Sequence, residues 1–87
     1  MKYMVTFAIK PENIDAAILR FKETGAPPPA GVTLIGRWHE AGTGRGFVVV
    51  ESDDPVAVTR FGITWADLLE QRIAPVVDDG QLAAALP

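Results

Sequence analysis

From Lys2 to Ile9 the chain alternates Tyr3, Val5, Phe7 and Ile9 with Met4, Thr6 and Ala8, a period of two that belongs to a β-strand. Both sets are largely apolar, so both faces of the strand call for cover. The same two-sided character returns at Phe47 to Glu51, where Phe47, Val48, Val49 and Val50 follow one another without a polar break. The remaining segments are therefore judged by how much of two apolar sheet faces they can hide.

Pro11 opens a helix with Glu12 and Asp15 in its first turn, where carboxylates meet the positive end of the helix dipole. Ile14, Ala17, Ile18 and Phe21 fall at i, i+3, i+4 and i+7 and make one apolar stripe. Lys22 lies in the last turn and Gly25 is the expected C-terminal cap, ending the helix near Thr24. Pro27, Pro28 and Pro29 form a stiff extended connection, read as a spacer rather than a ligand for aromatic grooves. Val32 to Glu40 is the second strand, with Val32, Leu34, Gly36 and Trp38 on one face and Thr33, Ile35, Arg37 and His39 on the other. Gly36 in its middle predicts a bulge or a close approach by a neighbouring side chain. A hairpin leads to the third strand, Phe47 to Glu51.

Asp54 before Pro55 is a helix start, and Val58, Phe61, Trp65, Leu68 and Leu69 keep near-helical spacing to Gln71, with a weak point at Gly62 and Thr64. Ile73 to Val77 reads as a fourth strand, placed at an edge or bulge by Pro75, which cannot donate to a ladder. Asp78, Asp79 and Gly80 turn the chain, and Gln81 to Leu86 suits a short helical turn or two. The order β-α-β-β-α-β is the split-βαβ, ferredoxin-like pattern: one α+β domain, residues 1–87, with two helices on one face of a four-stranded antiparallel sheet.

Two helices cover one sheet face only. Met4, Ala8, Ile35 and one of the alternating Val sets then remain on the other, and a second copy of the sheet is the simplest cover. Composition points the same way: 87 residues with 48% apolar side chains and no Cys make a core that is marginal alone and lacks disulfides. A face-to-face homodimer is expected. A net charge of −3 from only eight scattered Lys and Arg and a pI near 4.9 argue against nucleic acid as partner. Apolar runs stay far below the roughly 20 residues that span a bilayer. No long apolar segment follows Met1, so a cytoplasmic location is expected.

The segments Met1 to Phe7, Pro28 to His39, Gly46 to Pro55, Trp65 to Leu69 and Ile73 to Val77 resemble an uncharacterised bacterial family of about 90 residues, similar in turn to the dimeric α/β-barrel group of ferredoxin-like proteins. The resemblance covers nearly the whole chain and implies the fold and dimerisation. That wider group includes small monooxygenases, isomerases, haem enzymes and stress-response proteins, so it implies no single activity.

Candidate chemistry gathers at the end of the second strand. His39, the one His, is the only side chain whose unperturbed titration lies near neutrality and is the candidate proton carrier; the alternative is a structural or surface His. With no Cys and no second His, neither a metal nor a haem site is expected within a subunit, although a dimer would bring two His together, and no cofactor is expected. Arg37 shares the face of His39, and Glu51 joins them across the hairpin if the register is even, a cluster for an anionic or enolisable substrate. Cross-strand charge pairing explains the same residues without a ligand. Trp38 and Trp65 offer flat stacking surfaces, or simply core; Thr6 offers a hydroxyl, and Phe47 an apolar wall. The Gly-rich loop Gly42 to Gly46 joins two strands instead of opening a helix and is no phosphate loop. Asp53–Asp54 and Asp78–Asp79 fall where helix starts and turns use Asp. Three functions are compatible with these residues: a small-molecule-binding homodimer with a sheet-lined cavity, its ligand near Trp38, His39 and Phe47; a cofactor-independent monooxygenase- or isomerase-like enzyme using His39 with Arg37; and a dimerisation module without a ligand.

Overall fold

The central strand is β1 (Lys2–Ile9), which pairs antiparallel with β3 (Arg45–Glu51) on one side and β4 (Leu69–Val76) on the other. β2 (Thr33–His39) completes the sheet outside β3, giving the order β2-β3-β1-β4. The computed structural model, an α+β fold, describes residues 1–87. Between the strands lie α1 (Ile14–Thr24), entered through a 3-10 turn at Pro11–Asn13, and α2 (Pro55–Trp65), while α3 (Asp79–Ala85) follows β4.

Directly opposed residues share a face, and Val5 stands between Val48 and Ile73. Val5, Val48 and Val50 are buried with Val58 and Phe61 of α2, and Tyr3, Phe7 and Ile73 pack against this cluster. The odd-numbered residues of β1 therefore face the helices. Met4, Thr6 and Ala8 turn to the opposite face with Phe47 and Val49, and no element of the chain covers them: Phe47 is 39% and Trp38 56% exposed. The expectation of one helical layer and an uncovered, partly apolar sheet face holds in this respect.

The bulge foreshadowed by Gly36 is present as a register shift between Leu34 and Gly36. It corrects the expected face assignment of the second strand. Leu34 stands opposite Val50 and Arg37 opposite Val48, so both belong to the helix side; Gly36 and Trp38, opposite Val49 and Phe47, belong to the uncovered side. One unpaired residue reverses the parity of everything after it. Gly36 also answers a close approach: a Cβ there would lie 2.8 Å from Cζ2 of Trp38.

α2 begins as Asp54 and Pro55 predict, with the Asp54 carboxylate accepting from the Val56 N–H at 3.0 Å. It ends earlier than expected, at Trp65 rather than Gln71. The N–H groups of Ala66 and Leu68 bond back to Ile63 and Trp65 at 3.2 and 3.1 Å, and β4 starts at Leu69 rather than Ile73 because Leu69 and Gln71 pair with Ile9 and Phe7. Pairing with the central strand outweighs the local helical spacing of Leu68 and Leu69. Pro75 lies in β4, which is an edge strand, as a missing donor requires. No helix is long and apolar enough to cross a membrane.

Candidate functional site

α1 touches the body through Ala17, through Arg20 and at its C-terminus. Arg20 forms a two-toothed ion pair with Asp67, at 2.9 and 2.7 Å, donates to the Thr64 carbonyl at 3.0 Å, and lies 5.2 Å over the Trp65 ring. That hydrogen bond, the larger cause, and the charge of Arg20 hold the Asp67 carboxyl below its usual range. At the C-terminus Gly25 adopts φ 71° and its N–H bonds to Phe21 O, the expected cap. Ala26 follows with φ 46°, a conformation that costs an L-residue on the order of 1 kcal/mol. It is held there by a bond from its N–H to Thr24 Oγ1 and by Arg37, whose guanidinium donates to Gly25 O at 3.2 Å and Ala26 O at 2.5 Å. A cation at carbonyls closing a helix also suits the negative end of the dipole.

Only Ala17 of the α1 stripe is buried. Ile18 and Phe21 remain 45% and 40% exposed because they face a cavity of about 400 Å³ between the helices and the sheet, in which 11 of 16 lining residues are hydrophobic. Val5, Phe7, Ile9 and Val48 form its floor, Ile18 and Phe21 its roof, and Phe61, Trp65 and Leu69 its flank. This volume and lining fall in the range of small-molecule sites.

His39 and Arg37 both line this cavity, brought to the helix side by the bulge. The imidazole meets the rings of Phe7 and Phe21 edge-on, with centroids 5.9 and 5.8 Å away. The Arg37 guanidinium sits 5.6 Å from the Phe21 ring centre, and burial pushes its pKa down. Trp65, expected as a ligand wall, lines the cavity as well, 9% exposed.

The other expected site residues are elsewhere. Trp38, Phe47 and Thr6 lie on the uncovered sheet face, across the sheet from His39. Glu51 does not join Arg37 and His39: it pairs with Lys2 and Thr33 at the far end of β3 and binds the Met1 ammonium at 3.3 Å. The even register that the His/Arg/Glu cluster needed is excluded, since His39 stands opposite Gly46.

Phe21, Ile18, Phe61 and Lys22 join the cavity from positions that sequence reading assigned to helix stripes and a last-turn charge. Periodicity identifies an inward face but not whether that face is packed or lines a space. Gln71, placed by sequence in a helix, lines the cavity from β4 and donates to Gly62 O at 2.8 Å. No group of three or more potential ligand side chains capable of holding a metal ion is present.

Among curated proteins nothing matches the chain. The model of one family, described as a domain of unknown function (DUF3303), matches residues 1–87, and the chain belongs to that family.

Proposed function

We propose that this protein binds a small apolar molecule in the space between α1 and the sheet, and does so as a homodimer. The carrying observation is the 400 Å³ apolar cleft itself, whose volume falls in the range of small-molecule sites and beside which the apolar stripe of α1 stays exposed at Ile18 and Phe21. In the same reading the fold is a ferredoxin-like βαββαβ unit elaborated by α3, supported by the element order and by strands that run β4-β1-β3-β2 from the other edge. Dimerisation is supported by the uncovered face bearing Trp38 and Phe47, and by α3, which buries no residue, with Leu82 in it and Leu86 just after it exposed. A cytoplasmic location belongs to this reading and is tested by cell fractionation.

The test is an amide NMR titration with a panel of uncharged apolar compounds of about ten heavy atoms, a size suited to a pocket of this class. Saturable shifts at Ile18, Phe61 and Trp65 are expected. Shifts confined to Trp38 and Phe47, or none at all, would refute the assignment.

A second reading, proton transfer by His39, is favoured by one observation: its imidazole lines the cavity. Under that reading His39→Ala removes turnover and leaves ligand affinity nearly unchanged.

A further inference from the structure

The formally charged groups of the cavity, Lys22 and Arg37, are both cations. The polar imidazole of His39 lies beside them, and the lining holds no Asp or Glu, in a chain whose net charge is −3. The chain's four ion pairs use the Met1 ammonium, Lys2 and Arg20 as cations. Lys22 and Arg37 are thus left without a carboxylate partner. Arg37 is the more telling of the two. Its N–H groups reach two backbone carbonyls and its plane borders the Phe21 ring, so its surroundings offer dipoles and a π face but no formal negative charge. A guanidinium remains charged in a protein, and even partial withdrawal from water favours an opposing charge beside it. Burial already pushes its pKa down.

Resting on the binding role proposed above, we infer that the ligand is an apolar monoanion, an alkyl or aryl carboxylate whose body fills the space between Phe7, Phe21 and Trp65 and whose carboxylate lies against Lys22, Arg37 and His39. The apolar body accounts for the floor and roof, and the anion for the one-signed charge. A neutral compound would leave the charge of Arg37 unopposed, and a cation would add to it.

Three compounds sharing one alkyl chain separate this inference from its foundation: octanoate, octan-1-ol and octylammonium, each titrated calorimetrically and by amide NMR into the intact protein. Octanoate is expected to bind about tenfold more tightly than the alcohol, the scale of one charge-assisted hydrogen bond over a neutral one, with shifts at Phe21 and Trp65. The amine is expected to bind more weakly than either. Lys22→Gln, on an exposed helix position, is expected to weaken octanoate binding several-fold and octanol binding less, so that the preference for octanoate falls. Arg37→Gln is expected to reduce it further, and the Lys22 variant keeps the test decisive if loss of the Arg37 bonds loosens α1. Equal binding of octanoate and octanol at the cavity would overturn the anion while leaving the binding role standing. Preference for the amine would overturn it likewise. If none of the three shifts the cavity residues, the binding role falls and the anion falls with it.

Discussion

Val50 has no exposed surface and stands opposite Tyr3 and Leu34. Val50→Ala is expected to cost about 2 kcal/mol, from lost transfer energy plus the void left behind, read from the urea midpoint. At the surface, Arg20 and Asp67 act through geometry more than burial. Because Arg20 holds the Asp67 carboxyl below its unfolded value, this group contributes stability above the ordinary carboxylate range and loses it as pH falls through the folded value. Stability should therefore fall on acidification more steeply in the parent protein than in Asp67→Asn, and added salt should narrow the difference between them. The roles of single residues were unevenly legible. His39 and Arg37 declared themselves by chemistry, whereas the grouping of Glu51 with them depended on a register that no composition or spacing supplies.

Among the elements, α2 is the best specified. Its Asp54 cap and Pro55 start are written locally, and Asp54→Ala is expected to cost about 1 kcal/mol, measurable by thermal or urea unfolding. Its C-terminus lies at Trp65, short of the expected Gln71, because Leu68 and Leu69 fit a helical period and a strand equally well, and only pairing with β1 decides between them. α3 has a complete capping box, with Asp78 Oδ1 accepting from the Gln81 N–H at 2.8 Å and Gln81 Oε1 accepting from the Asp78 N–H at 3.0 Å. A helix of seven residues is marginal in water without packing, and this one buries nothing. Ending the chain after Val77 is therefore expected to leave unfolding of the dilute protein unchanged, and to lower stability only at concentrations where copies associate.

For the whole molecule, the proposed dimer has a direct consequence: sedimentation at micromolar concentration should give about twice the 9.3 kDa chain mass. Trp38→Lys, a charge placed on the uncovered face, should return it to the single-chain mass without loss of secondary structure by circular dichroism. A parent protein that sediments as one chain would remove dimerisation from the proposed function but leave the cavity intact, since all its walls come from one copy.

By itself the sequence determined the number and order of the strands and the two main helices, the caps at Asp54 and Gly25, the irregularity at Gly36, as a bulge or a close approach, and the two-sided apolar sheet. These follow from backbone chemistry and side-chain period, which act over a few residues. Only the tertiary structure decided that the bulge turns Arg37 and His39 toward the helices and Trp38 away, that Leu69 to Gln71 extend β4, and that the stripe of α1 borders a space instead of a packed core. Each of those outcomes depends on pairing across the sheet or on how far α1 stands from it, distances between residues remote in the chain that no local pattern encodes.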